Sequence, residues 1–142
     1  MGDRKRILVI DDNRALASAT ERILQKQDFE IITALNGADG YDKAKKVMPD
    51  VIILDVITPG IDGYEVGYQL REDHETSDIP IIFLSAEGNT NSKKGDSEVG
   101  RQEINIAFEC DANDFLQIPV AADDLVRSVK NVIWFSEISA LA

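Results

Sequence analysis

The stretch Val51-Ile52-Ile53-Leu54-Asp55 constrains this chain more than any other. Four apolar residues in a row end in a carboxylate, with Pro49 before the run and Pro59-Gly60 after it. Such a segment reads as a short strand buried on both faces, as in a parallel sheet. Asp55 then stands at the strand's carboxyl end, where open α/β sheets place their ligands. Ile7-Leu8-Val9-Ile10 likewise runs into Asp11-Asp12, and the run Ile79 to Leu84 ends at Ser85.

Helical and strand patterns alternate along the chain. Asn13 is placed to cap a helix whose apolar positions are Leu16, Ala19, Thr20, Ile23 and Leu24. Asp28 to Ala34 reads as a second strand. Asn36-Gly37 ends it and opens a helix with Ala38, Tyr41, Ala44 and Val47 on one face. After Val51–Leu54, a helix is predicted from about Tyr64 to Glu72, a fourth strand over Ile79–Leu84 and a fifth over Asp114–Ile118. A polar insertion spans about residues 88–97, and a weak helical pattern follows over about 98–109. The last segment, about 122–142, is one long helix pattern with Leu125, Val126, Val129, Val132 and Ile133 as its inner stripe. This order predicts a parallel sheet with helices on both faces, built as one domain with a core over about residues 5–135.

Charge and cysteine content narrow the setting. The net charge of −11 disfavours nucleic acid or an anionic membrane as a direct partner. No apolar run approaches the length of a membrane span. Cys110 is the sole cysteine, so an internal disulfide is impossible and a cytoplasmic setting is expected.

The chemistry lies at the strand ends. Asp11, Asp12 and Asp55 cannot crowd together unless they shift their pKa values or recruit a cation. A hard divalent ion such as Mg²⁺ suits oxygen ligands and keeps waters that a phosphate can replace. An aspartate beside such an ion can attack phosphorus, and Ser85 would supply a hydroxyl to a phosphoryl oxygen.

These residues carry a family likeness. Asp11-Asp12, Asp55-Val-Ile-Thr-Pro-Gly-Ile-Asp-Gly63, Ser85-Ala86 and Asn113-Asp-Phe-Leu-Gln-Ile-Pro119 occur in order at successive strand ends. Together they resemble the receiver domain of two-component response regulators. The resemblance implies a flavodoxin-like, doubly wound five-stranded parallel sheet in order 2-1-3-4-5. It implies phosphoryl transfer to Asp55 from a histidine kinase or a phosphotransfer protein. Any enzymatic activity is then limited to Mg²⁺-dependent self-phosphorylation from a phosphodonor and self-dephosphorylation. It further implies that Asp12 ligates Mg²⁺ beside Asp55, that Asp11 helps through water, and that the backbone carbonyl of Ile57 completes the protein ligands. Ser85 matches the switch hydroxyl and Phe115 the switch aromatic.

One departure matters. The family places a lysine just before the proline of strand five, and that position here is Ile118. An apolar side chain cannot pair with Asp55 or a phosphoryl oxygen. Ile118 therefore supports a second reading, a pseudo-receiver that binds partners without phosphorylation. A phosphohydrolase of the haloacid-dehalogenase type is disfavoured, because Ile57 stands where a second aspartate is needed. A flavin or nucleotide site is disfavoured because Asp11-Asp12-Asn13 would repel phosphate.

The final helix carries a second apolar stripe at Trp134, Ile138 and Leu141, rotated away from the inner one. That stripe predicts a partner helix, either in a homodimer or in the lead to an output domain.

Overall fold

The computed structural model describes residues 4–55, 63–86, 112–118 and 120–141. Ile57, the polar insertion, the weak helical pattern over 98–109, Cys110 and Pro119 lie outside them. In chain order the described elements are β1 (Arg6–Ile10), α1 (Arg14–Gln25), β2 (Glu30–Ala34), α2 (Gly37–Val47) and β3 (Val51–Asp55). Then follow α3 (Gly63–Glu72), β4 (Ile81–Ala86), β5 (Asp114–Ile118) and the twenty-residue α4 (Ala122–Leu141).

The five strands form one parallel sheet in the order β2-β1-β3-β4-β5, as the alternation of elements implies. All five residues of β3 are buried, which is why its sequence shows no polar alternation. Alternate residues of the central strands feed two cores. Leu8, Ile10, Ile52 and Leu54 join Ala44 and Leu70 on the α2–α3 side. Ile7, Val9, Val51 and Ile53 join Leu24 and Val129 on the α1–α4 side. The strand period of two thus builds both layers from one set of consecutive apolar residues.

Local chemistry sets the element ends. The Asn13 side chain accepts from Leu16 N at 3.1 Å and caps α1; Asn36 accepts from Asp39 N at 2.8 Å and caps α2. Helix α2 ends at Val47, and its cap Met48 takes a left-handed conformation.

The bounds of two strands and one helix face differ from the sequence reading. β2 starts at Glu30, after a turn in which Asp28 takes a positive φ. β4 begins at Ile81 and continues to Ala86, so Ser85 lies inside the strand. On α2, Ala38 is exposed and Gly40 is buried in its stead. The reason is a close approach: a Cβ at Gly40 would sit 2.5 Å from Ile10 Cδ1. Helix α2 therefore rests directly on the strand that delivers Asp11. Gly40→Ala is expected to cost about 1–3 kcal/mol through overpacking, read from the midpoint of urea unfolding with an unchanged slope.

The far end of α3 is tied to the sheet. Arg71 Nη1 donates to the carbonyls of Ser77 (2.9 Å) and Ile79 (2.7 Å), and its Nη2 donates to Asn113 Oδ1 at 3.2 Å. Asn113 Oδ1 also accepts from Ile81 N at 2.9 Å. The start of β4 and the start of β5 are thus held to one helix end. Among the described residues, no helix is long and apolar enough to cross a membrane.

Candidate functional site

The site is built at the carboxyl ends of three adjacent strands. β1 and β3 pair through Ile10 and Leu54, so Asp11 and Asp55 follow side by side. β3 and β4 pair Asp55 with Leu84, which puts Ser85 one register step beyond Asp55 on the next strand. Asp11, Asp55 and Ser85 are all buried, at 1%, 3% and 1% exposure. Burying two carboxylates and a hydroxyl at one sheet end is costly unless they have a task or partners.

The loop after β1 presents its acids in a defined way. Asp11 N donates to Ala34 O at 3.0 Å and prolongs the β1–β2 ladder by one step. The Asp11 side chain accepts from Asn13 N at 2.9 Å, a local turn that hands the chain to α1. Asp12 between them is half-buried, and its Oδ1 is enclosed with no hydrogen-bond partner among the described residues. The α1 amino terminus follows at once, and its unpaired N–H groups favour negative charge there.

The electrostatics carry the mark of crowding. Burial pushes the Asp11 carboxyl up from 3.8 to about 7. The hydrogen bond from Asn13 N opposes this, while the neighbouring Asp55, in charge and in hydrogen-bonding contact, and then Asp12 add to it. A carboxyl with that value shares its site with a proton at neutral pH, and a cation would displace the proton.

The donor set fits Mg²⁺. It offers hard oxygen ligands, a buried Asp12 oxygen without a partner, and a carboxyl pair whose mutual repulsion a divalent ion would relieve. The three acids do not close into a cage. No group of three His, Cys, Asp or Glu residues among those described is drawn together tightly enough to hold a metal. Mg²⁺ usually takes only one or two carboxylates and completes its shell with other oxygens.

Of the remaining sequence-predicted residues, the structure describes Phe115 and the strand position of the departure. Phe115 is half-buried, pairs with Phe83 across β4–β5 and packs on the α2–α3 core. Position 118 pairs with Ala86, one step past the Ser85–Gln117 pair, so β5 brings the position of the departure to the same sheet end. Ile57 lies outside the described residues. Sequence reasoning missed the Arg71–Asn113 tie, because its partners lie up to 42 residues apart and no local pattern announces it.

Comparison with known proteins gives the arrangement its class. The model of the response regulator receiver domain matches residues 7–130. The chain belongs to that family. It is 30% identical over 128 residues to Protein PilH of Pseudomonas aeruginosa, covering 90% of this chain and 97% of that one. It is 32% identical over 136 residues to the alkaline phosphatase synthesis transcriptional regulatory protein PhoP of Bacillus subtilis, covering 96% of this chain. There it spans only 51% of the relative's length. Among solved structures, a response regulator from Chloroflexus aurantiacus superposes with a TM-score of 0.77 at 31% identity, covering 92% of this chain and 98% of that one. The chain therefore corresponds to nearly all of one relative and to about half of another. The five-stranded order found here is that of the flavodoxin-like receiver fold.

Proposed function

We propose that this chain is a phosphoryl-accepting switch of a two-component system, with Asp55 as the acceptor. The observation that carries the reading is the buried Asp55 at the end of β3, in contact with Asp11 and one step from the Ser85 hydroxyl. The donor is a phosphohistidine of a partner histidine kinase or phosphotransfer protein. A carboxylate oxygen of Asp55 attacks phosphorus and forms a P–O bond as the P–N bond breaks. The imidazole nitrogen leaves with the electron pair and takes up a proton. Asp12 and Asp55, with the Ile57 carbonyl, would hold Mg²⁺, and Asp11 would act through a water. When bound, Mg²⁺ neutralises charge on the incoming phosphoryl oxygens. Ser85 Oγ donates to one of those oxygens. Phe115, half-buried beside Phe83, is the aromatic that reports the change to the surface of β5 and α4. A phosphoryl group adds about −1.5 to −2 charge, enough to bias such a two-state element.

Ile118 favours a second reading, an interaction module that works unphosphorylated. Intact-mass spectrometry with a small phosphodonor and Mg²⁺ separates the two. The switch predicts a single adduct of about 80 Da, one phosphoryl group, on the wild type and none on Asp55→Asn. The interaction module predicts no adduct on either and partner binding that survives Asp55→Ala.

A further inference from the structure

Strand β5 stands at the edge of the sheet, with β4 as its neighbour. Its apolar residues say little about where along β4 it should pair. Phe115 packs on the α2–α3 core, and the next residue, Leu116, packs on the α1–α4 core. A strand that is apolar on both faces discriminates poorly between neighbouring registers. The observed register pairs Ile82 with Asp114, Phe83 with Phe115 and Ser85 with Gln117.

Two polar residues at the start of the strand supply the discrimination. Asn113 N donates to Ile81 O at 2.8 Å, and Asn113 Oδ1 accepts from Ile81 N at 2.9 Å. One asparagine thus answers both main-chain polar groups of a fully buried residue. Arg71 Nη2 on α3 donates to the same Oδ1 at 3.2 Å. Asp114 is tied to the other layer. Its Oδ2 accepts from Ser128 Oγ on α4 at 2.5 Å, and its Oδ1 accepts from Phe115 N at 2.8 Å. Ser128 itself is buried. Adjacent residues therefore hold the start of β5 to both helical layers.

A one-residue slip cannot satisfy both places. Sliding β5 one way brings Phe115 to the place where Asp114 meets Ser128. Sliding it the other way brings Ala112 to the place where Asn113 meets Ile81 and Arg71. The buried Ser128 hydroxyl loses its acceptor in the first case, and the buried Ile81 N–H loses its own in the second. Leaving a buried donor without its acceptor costs more than the bond contributes when made. The two residues thus act chiefly against the wrong registers. The effect is felt at the far end of the strand. The observed register places position 118 opposite Ala86, and a slip would bring Gln117 or Pro119 there instead.

We propose that Asn113 and Asp114 are positioning residues that lock the register of β5 and so decide which of its side chains reaches the Asp55 end of the sheet. They lie at the amino end of the strand, whereas Asp55 and Ser85 stand at the carboxyl ends of β3 and β4. Because the lock is at the opposite end, residue 118 can be exchanged without moving the strand. The consequence for chemistry rests on Asp55 as the phosphoryl acceptor; the register does not.

Nuclear magnetic resonance on the full chain reads the register from contacts between β4 and β5. Wild type should show one pattern, with Phe83 beside Phe115 and Ser85 beside Gln117. Asn113→Ala combined with Ser128→Ala opens one slipped register. Asp114 then serves Ile81 and Arg71, and Phe115 lies against the shortened side chain at 128. A second pattern, with Phe83 beside Leu116, should appear in about a third of the molecules or more. Contacts between β1 and β3, such as Leu8 with Ile52, should stay. Asn113→Asp keeps an acceptor in place and should show the wild-type pattern alone. If the double variant does not fold, Ser128→Ala alone decides. Amide exchange at Leu116 and Gln117 should then rise about tenfold, while that in β1 and β3 stays within about twofold. In the Ile118→Lys background, the double substitution should lower the labelling rate of Asp55 in proportion to the second pattern. A double variant with the wild-type pattern alone, equal loosening of β1 and β3, or a second pattern in Asn113→Asp overturns the lock. An unchanged labelling rate beside a second pattern overturns the positioning role. Absence of labelling in every variant contradicts the acceptor reading, and the strand contacts, read without a phosphodonor, still decide the lock.

Discussion

Ile118→Lys should raise the initial rate at which a small phosphodonor labels Asp55 by on the order of ten- to a hundredfold. A charge-assisted hydrogen bond to a phosphoryl oxygen is worth about 1.5–3 kcal/mol, and about 1.4 kcal/mol is a factor of ten in rate. Position 118 sits opposite Ala86, one step past the Ser85–Gln117 pair, at the end of the sheet that carries Asp55. A lysine there adds a cation to a site whose acidic groups already repel one another. The control is Ser139→Lys. Ser139 is exposed on the last turns of α4, which end near the start of β1, at the opposite end of the sheet from Asp55. It adds the same charge far from the phosphoryl group and should leave the rate within about twofold. Equal acceleration by both variants would mean that general charge, and not a placed contact, limits the reaction. No acceleration by either would mean that the site gains nothing from a fixed cation at position 118.

Magnesium should stabilise this protein at pH 8 and hardly at all at pH 5. Asp11 is the reason. Its folded value of about 7 stands above the 3.8 of a free aspartate, so the folded state holds this proton more tightly than the unfolded chain does. Without metal, the stability that this group contributes is fully present below 3.8 and is lost as pH rises through about 7. Above that value the bare carboxylates repel one another, and Mg²⁺ removes the repulsion. Below it a proton occupies Asp11 and competes with the ion, so apparent affinity should fall by up to about tenfold per pH unit. Thermal melts with and without Mg²⁺ at the two pH values read the difference. Asp55→Asn removes one of the charges that raise the Asp11 value and should move the transition to lower pH. An equal gain in melting temperature at both pH values would contradict the assignment.

Much of this arrangement was legible in the residues because the relevant physics is local. Val51 to Leu54 could be read as a fully buried strand, since a run of branched apolar residues between prolines leaves few alternatives. Asn13 and Asn36 announced two helix starts because capping is decided within three residues. That Asp11 and Asp55 follow neighbouring strands needed the strand order, which the family resemblance implied and local pattern did not.

What escaped the sequence depends on distant approach. Ala38 looked like a core residue of α2, but Gly40 holds that place because the helix lies so close to Ile10 that no side chain fits. Ser85 was read as following β4, but pairing with β5 carries the strand on to Ala86. The tie from Arg71 to Asn113 joins segments that only the fold brings together. The outward stripe on α4 was visible as a pattern.

The identity of the residue that carries the phosphoryl group tests the account most directly. The protein is incubated with Mg²⁺ and a small phosphodonor, the acyl phosphate is reduced with borohydride, and the peptides are mapped by mass spectrometry. Conversion of Asp55, and of no other aspartate, to homoserine is the predicted result. Conversion at Asp11 or Asp12 instead, or none while a mass adduct is present on the intact chain, would contradict it.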